Sequence, residues 1–163
     1  MRKLIAIVLN IFIFSSAFAA SATPRELIDK LERAVKIFAS GDVDDGYGAM
    51  MAEANYSKSP KERAADLDDW RSKFAELRDL GPSHMVNRVS LVFLGDSYFR
   101  VRFIDQRENG GALLWTFICE KDKDEWSLNT VNFIGNSDFS EVFKALDAAD
   151  FSKELPKEPP PNQ

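Results

Sequence analysis

The sequence predicts an α+β domain in which helices pack on one face of an antiparallel sheet. Up to Leu80, apolar residues recur at the three- and four-residue intervals of amphipathic helices. From Met85 onward they alternate with polar residues, as in strands. Short, turn-forming connections separate these strand-like segments, which favours an antiparallel meander over parallel strands joined by helices. At 163 residues, the chain has the length of one domain.

The composition excludes several classes of protein. With 45% apolar and 29% charged residues, the chain is too hydrophobic for intrinsic disorder. Its single cysteine excludes a disulfide framework and a cysteine-based zinc site, and its single histidine leaves little room for a histidine-rich metal centre. The formal net charge of −5 argues against nucleic-acid binding, which depends on a basic surface. We therefore expect no metal, no cofactor and no nucleic-acid partner.

Residues 1–19 have the pattern of a signal peptide. A basic start (MRK) precedes an apolar run over 4–14, and the sequence AFA matches an A-x-A cleavage site. The run is shorter than the roughly 20 apolar residues that span a bilayer. We expect cleavage after Ala19 or Ala20, export to the periplasm or the exterior, and membrane contact only through the signal peptide before cleavage.

Residues 20–152 are expected to form the single folded domain, and residues 153–163 a disordered, proline-rich tail. The first helix is predicted over 24–39, because Thr23 is a suitable N-cap and Gly41 a suitable C-terminal cap. Its apolar face consists of Leu27, Leu31, Ala34, Val35 and Phe38.

Two further helices are predicted before the strands. Residues 42–56 favour a turn and then a short helix that carries Tyr47, Met50 and Met51 inward. Ser59 starts a longer helix that continues to Leu80, where Gly81-Pro82 ends it. One face of this helix holds Leu67, Trp70, Phe74 and Leu77.

The first two strands are predicted to form a hairpin with a three-residue loop over 95–97. This loop keeps apolar residues opposite apolar residues, whereas a two-residue loop would place Leu91 opposite Arg100. The expected pairs are Phe93 with Phe99, Leu91 with Val101, and Val89 with Phe103.

The third strand, 112–120, is apolar on both faces and is expected in the interior of the sheet. A charged four-residue turn over 121–124 leads to a fourth strand over 125–133. This turn would pair Cys119 with Trp126 and Phe117 with Leu128. A buried position is the simplest one for a lone thiol in an oxidising compartment. A short C-terminal helix beginning near Asp138 is also predicted, with Phe139, Val142, Phe143 and Leu146 on one face.

The order of elements and several residues resemble the cystatin-like, nuclear transport factor 2-like superfamily, and within it small exported bacterial proteins of unknown function. The residues that match are Phe38-Ala39-Ser40-Gly41-Asp42, Gly46-Tyr47, Trp70, Phe74, Leu77, Arg78, Leu80, Gly81, Tyr98, Val101 and Trp126. The resemblance spans roughly residues 25–135. It implies a curved sheet that forms a cone-shaped pocket against the helices, often with dimerisation through the sheet. It implies no activity, because members of this superfamily do unrelated things.

Enzymes of this superfamily typically place an Asp or His, often with a Tyr, inside the cone. The lone His84 follows a helix end and is expected to be solvated, and Asp66, Asp68 and Asp69 are expected on a solvated helix face. No phosphate-binding glycine loop, nucleophile elbow or zinc spacing is present in the sequence. No catalytic residue is therefore assigned.

Two surfaces are candidates for binding. A pocket lined by Tyr47, Met51, Trp70, Phe74 and Trp115 would suit a small apolar ligand. On the other face of the sheet, the predicted register brings together Arg88, Arg100 and Arg102. These arginines would form a homodimer seam, a docking site for an acidic partner, or the floor beneath the terminal helix.

The sequence thus predicts an exported, non-enzymatic domain that binds a small apolar ligand or an envelope protein. One alternative is a hydrolase or isomerase that uses Asp69 with Tyr47. Another is a cystatin-like module for protein interaction.

Overall fold

The computed structural model describes residue 21 and residues 23–54 and 58–136. Within these residues the chain forms three α-helices, one 3₁₀ turn and four strands. In order they are α1 (Pro24–Ala39), α2 (Val43–Met51), α3 (Pro60–Glu76), the 3₁₀ turn Arg78–Leu80, β1 (Ser83–Leu94), β2 (Tyr98–Arg107), β3 (Ala112–Asp122) and β4 (Glu125–Asn136). The strands form one curved antiparallel sheet in the order β1-β2-β3-β4, and the predicted α+β class is confirmed.

Three predicted segments lie outside the described residues: the signal peptide at 1–19, the short C-terminal helix from Asp138, and the tail at 153–163. They stay predictions. None of the described helices is long and apolar enough to cross a membrane.

Helix α1 has the predicted bounds and is the most deeply buried helix of the described fold. The Thr23 hydroxyl accepts a hydrogen bond from the Glu26 backbone N–H at 3.2 Å, which caps the first turn. Six residues of the helix are buried, and they include the whole predicted apolar face. The helix therefore forms one wall of the core.

Helix α2 begins earlier than predicted, immediately after Asp42. The Asp42 carboxylate accepts from the Asp45 backbone N–H at 3.0 Å, so a helix cap replaces the expected turn. A Cβ atom at Gly46 would lie 2.7 Å from the Phe38 ring. This glycine therefore lets α1 and α2 approach closely, and Tyr47 and Met50 are buried as expected.

Helix α3 starts at the predicted capping box of Ser59 and Glu62. It ends at Glu76, earlier than predicted, because the chain tightens into the 3₁₀ turn before Gly81, whose φ is 75°. No residue of α3 is fully buried. Its apolar side chains pack half-exposed against the core.

The β1–β2 register is confirmed at two of three predicted pairs, Phe93 with Phe99 and Leu91 with Val101. The third prediction is wrong, because Phe103 pairs with Arg88 instead of Val89. An irregularity between Arg88 and Ser90 inserts an extra residue into β1, as in a β-bulge. From Arg88 back to Met85 the residues of β1 therefore face the opposite way from the prediction, and a second irregularity between Met85 and Ser83 reverses the facing again.

The predicted four-residue turn before β4 is also wrong. Asp122 pairs with Glu125, which leaves a two-residue turn in which Lys123 has a φ of 58°. Trp126 therefore lies opposite Lys121, Cys119 lies opposite Leu128, and a shift after Ile118 places Phe117 opposite Val131. The Cys119 side chain is nevertheless fully buried, as predicted, and burial raises the pKa of its thiol.

Two isolated β-bridges attach segments from outside the sheet to β4. Ser21 exchanges backbone hydrogen bonds with Trp126, at 3.0 and 2.8 Å. The Leu128 backbone N–H donates to the Glu53 carbonyl at 2.6 Å. The Glu53 carboxylate also accepts from the Lys30 ammonium at 3.2 Å, so this partly buried cluster links α1, the end of α2 and β4.

Candidate functional site

An aromatic cluster fills the centre of the space between the helices and the sheet. Its members are Phe38, Trp70, Phe74, Trp115 and Phe133. The Phe38 and Trp115 ring centroids lie 5.0 Å apart, and those of Trp70 and Phe133 lie 5.1 Å apart. Such contacts are typical of a packed aromatic core. Beside the cluster lie two separate cavities lined by α3.

The five predicted pocket residues do not line one pocket. Tyr47, Met51 and Trp70 line the smaller cavity, which holds about 320 Å³. Phe74 lines the larger one, which holds about 460 Å³. Trp115 has no exposed surface and lies within the aromatic cluster. The aromatic residues thus mainly fill the cone, and the ligand-sized space lies to either side of it.

The smaller cavity is polar at its rim. The Tyr47 hydroxyl donates to the Asp66 carboxylate at 3.1 Å, and the Lys58 ammonium donates to the same oxygen. The hydrogen bond from Lys58, together with that from Tyr47, holds the pKa of Asp66 below its usual range. A carboxylate held in its ionised form is poorly suited to act as a general acid.

The predicted acid–base pair of Asp69 and Tyr47 has different partners in the structure. Asp69 forms an exposed ion pair with Lys73 on the same helix, at 2.6 Å. Tyr47 instead contacts Asp66, one helical turn earlier. His84 is exposed, as expected.

The larger cavity, here called the arginine cavity, lies between the end of α1, the end of α3 and the end of β2. Phe38, Phe74 and Leu77 contribute its apolar lining, and Arg71, Arg78 and Arg107 its charged groups. Its volume of about 460 Å³ falls within the range of roughly 300–1,000 Å³ that is common for ligand pockets.

The three arginines differ in their partners. The Arg71 guanidinium donates hydrogen bonds to the Asp44 carboxylate, at 2.6 and 2.9 Å, and to the Asp68 carboxylate, at 2.9 Å. The hydrogen bonds that Arg71 donates to Asp44 raise the pKa of the guanidinium further. Arg78 is exposed and forms no ion pair with the residues that the structure describes.

Arg107 is the buried member, with 9% of its side chain exposed. Its Nη2 donates to the Asp105 carboxylate at 2.5 Å, and its Nη1 to the Gly81 carbonyl at 3.4 Å. The Nε atom is buried and has no acceptor among the described residues. One guanidinium donor therefore stays unsatisfied beside the arginine cavity.

Asp105 is fully buried and orients Arg107. Its other carboxylate oxygen accepts from the Ser83 hydroxyl at 2.6 Å. Burial raises the pKa of Asp105, although the hydrogen bonds from Ser83 and Arg107 favour the ionised form. Both oxygens are thus occupied by protein donors, which makes Asp105 a positioning group for the guanidinium.

Sequence reasoning missed Asp105 and Arg107, although the pattern contained a signal. Core-facing positions alternate along β2, and Phe99, Val101 and Phe103 occupy the first of them. The same alternation places Asp105 and Arg107 on the core side. Charged residues at such positions point to a buried ion pair or a site.

The predicted arginine surface on the other face of the sheet is rearranged. Arg100 is half-buried and Arg102 is 7% exposed, on the face where Ile104 and Leu114 are also buried. The prediction that Arg88 lies on this face is wrong, because the bulge places Arg88 opposite the core residue Phe103. The use of this face as an interface stays a prediction. Within the described part of the chain, no group of three or more acidic, histidine or cysteine side chains is placed to hold a metal ion.

Comparisons with known proteins find similar solved structures but no matching family model. No protein-family model and no curated protein matches the chain. Its structure is similar to that of a Campylobacter jejuni protein described as an NTF2-like transpeptidase, with a TM-score of 0.47 and 16% identity over 66% of this chain and 99% of the other. It is also similar to a SEC-C motif containing protein from Rhodopseudomonas palustris, with a TM-score of 0.40 and 16% identity over 69% of this chain and 80% of the other. Likenesses at this level establish neither activity nor family, and nuclear transport factor 2-like membership stays a prediction from the sequence.

Proposed function

We propose that this chain is an exported, non-enzymatic binding domain of the nuclear transport factor 2-like type, and that the arginine cavity holds a small, largely apolar ligand. The observation that supports this most directly is an open space of about 460 Å³ beside a filled aromatic core. Ligand sites are typically concave and apolar with a few polar groups, and this cavity has that composition.

The apolar side chains that line the arginine cavity include one buried residue and two that a ligand could contact. Phe38 is 1% exposed, so the inner wall belongs to the rigid core. Phe74 lies on the half-exposed face of α3 and Leu77 directly follows this helix, and a ligand would cover both side chains. Removing apolar surface from water contributes about 25 cal/mol per Å², so covering these side chains favours an apolar ligand.

The state of the carboxylates supports binding over catalysis. The pKa of Asp66 is lowered by Lys58 and Tyr47, and Asp69 is paired on the surface. Asp105 has a raised pKa, but both of its oxygens accept hydrogen bonds from the protein. Neither Asp66 nor Asp105 combines a free carboxylate oxygen with a raised pKa, the arrangement that general acid catalysis favours.

Ligand binding is tested with Nile red, a neutral apolar dye whose fluorescence rises in apolar sites. Ala75 lines the arginine cavity, whereas Ala65 is exposed on the same helix outside it. We expect Ala75→Trp to lower dye affinity at least tenfold because the indole occupies the cavity. Ala65→Trp, the matched control, is expected to leave affinity unchanged. Equal binding by both variants, with unchanged circular dichroism spectra, would place the dye elsewhere and contradict the proposal.

Export is tested separately by expressing the full chain in a Gram-negative host. We expect the protein in the periplasmic fraction, with a mature amino terminus at Ala20 or Ser21. Recovery of the full-length chain only from the cytoplasm would overturn the export part of the proposal and leave the binding part standing.

A further inference from the structure

We infer that the ligand of the arginine cavity carries an anionic group, and that Arg107 and Arg78 bind it. This inference rests on the proposed function, because it names the chemical class of ligand for the same cavity. The ligand would be an amphiphile with one apolar portion and one carboxylate or comparable anion.

The first argument is the unsatisfied donor of Arg107. The side chain is 9% exposed, and its Nε–H has no acceptor among the described residues. Buried polar groups in folded proteins nearly always have hydrogen-bond partners, so Arg107 keeps unused donor capacity beside the cavity that it lines. A ligand anion in the cavity would lie beside this guanidinium, and charged acceptors form the stronger hydrogen bonds.

The second argument is that the guanidinium is already fixed in place. Asp105 holds Nη2 and the Gly81 carbonyl accepts from Nη1. Asp105 is in turn held by Ser83 at 2.6 Å. A guanidinium fixed in this way loses little rotamer freedom on binding, which favours recognition of an anion.

The third argument is the charge around the cavity. Arg71 already has two acidic partners, Asp44 and Asp68, whereas Arg78 has none in the described part of the chain. The buried Asp105 balances one further arginine. The three arginines and these three carboxylates balance in number, but the carboxylates are bound to Arg71 and Arg107. Arg78 is therefore the guanidinium of the cavity beside which an anionic group is favoured over a cationic one.

The apolar lining and the arginines together select an amphiphile over an inorganic anion. Phe38, Phe74 and Leu77 offer no hydrogen bonds, so a small hydrated anion would leave this part of the cavity uncovered. An alkyl chain would cover it while the head group reaches the guanidinium groups.

The test uses the full mature chain and three probes with the same alkyl chain: decanoate, decanol and decyltrimethylammonium. Each displaces Nile red in competition. We expect decanoate to bind at least tenfold more tightly than decanol, and the ammonium compound to bind most weakly. The preference for decanoate should shrink at high salt, because screening weakens the charge interaction.

Two arginine variants assign the anion to its site. Arg107→Lys keeps a positive charge beside Asp105 but removes the Nε–H group. Arg78→Gln removes an exposed charge that has no ion-pair partner among the residues that the structure describes. We expect each to reduce decanoate affinity at least threefold and to leave decanol affinity unchanged. Arg33→Gln, an exposed arginine of α1 outside the cavity, is the matched control and should change neither affinity.

The outcomes separate the two proposals. If decanol equals or exceeds decanoate, or if Arg78→Gln leaves decanoate binding intact, the anionic ligand is excluded while apolar binding stands. A higher affinity for decyltrimethylammonium also excludes it. If Nile red itself does not bind, or binds equally to Ala75→Trp and Ala65→Trp, the proposed function itself fails.

Discussion

Helices α1 and α3 look alike in sequence but contribute differently to the structure. They have 16 and 17 residues, and each begins with a hydroxyl N-cap followed by proline. Yet α1 buries six residues and α3 buries none. Helix α3 is held by half-exposed aromatic side chains and by surface contacts such as Arg71 with Asp44. The comparison indicates that α1 is part of the core, whereas α3 is an attached wall that borders both cavities.

The largest difference is expected from matched leucine substitutions in the two helices. Leu31 in α1 has no exposed surface, whereas Leu67 in α3 is only partly buried. We expect Leu31→Ala to lower the free energy of unfolding by about 2–5 kcal/mol, because it removes buried contacts and leaves a cavity. Leu67→Ala should cost about 1 kcal/mol or less, since much of its surface is already in water. Urea denaturation followed by circular dichroism measures both, and equal losses would contradict the comparison.

The contact between α1 and α2 is tested at two glycines. A Cβ atom at Gly46 would lie 2.7 Å from the Phe38 ring, whereas one at Gly48 would meet nothing within 4 Å. Gly46→Ala should therefore lower the unfolding free energy by about 1–3 kcal/mol through overpacking. Gly48→Ala, the matched control, should raise it by about 0.4–1 kcal/mol because alanine favours the helix. A neutral Gly46→Ala would show that the two helices separate at little cost.

The two N-caps sharpen the comparison further. Loss of a hydroxyl cap costs about 1 kcal/mol. For Thr23→Ala we expect this loss in global unfolding, because α1 is inseparable from the core. For Ser59→Ala we expect mainly faster amide hydrogen exchange within α3, with a smaller change in the global midpoint. Ser72→Ala, an exposed serine within α3, is the control and should not increase exchange.

Acid should weaken the attachment of α3 selectively. The pKa of Asp66 is lowered by its hydrogen bonds to Lys58 and Tyr47, and that of Asp44 by its hydrogen bond to Arg71. The folded state therefore favours the ionised carboxylates. This contribution is present above the unfolded aspartate pKa of about 3.9 and is lost as pH falls through the lower folded values.

The effect is expected to be small because these side chains are 33% and 55% exposed. Amide protection factors in α3, but not in α1, should fall between about pH 5 and pH 3. Asp66→Asn should reduce this pH dependence. Parallel loss of protection in both helices would show that α3 is as firmly integrated as α1.

Local signals in the sequence predicted the helices well, because caps and apolar spacing are properties of neighbouring residues. Thr23 and Ser59 both act as N-caps at the predicted positions. The register errors have a different origin. The turn residue Lys123 adopts a φ of 58°, although neither glycine nor asparagine marks the position, and the bulge near Val89 has no signature in its own sequence.

The candidate site was harder to predict because it depends on distant contacts. Tyr47, Trp70 and Trp115 were correctly identified as facing inward, but whether aromatic rings line a pocket or fill it depends on their mutual packing. The arginine cavity brings Arg71, Arg78 and Arg107 together from separate parts of the chain. Asp105 was detectable from its position in β2, but its partners Ser83 and Arg107 required the fold.

The position of Ser21 has a consequence for the order of maturation. Its side chain has no exposed surface, and its backbone is paired with Trp126. Cleavage after Ala19, as expected from the sequence, would leave one residue between the new amino terminus and this pairing. A protease must bind the residues on both sides of the cleaved bond in its cleft. Ser21 could not bind there while its backbone is paired with Trp126. Removal of the signal peptide is therefore expected to precede the docking of Ser21, which completes the edge of the sheet.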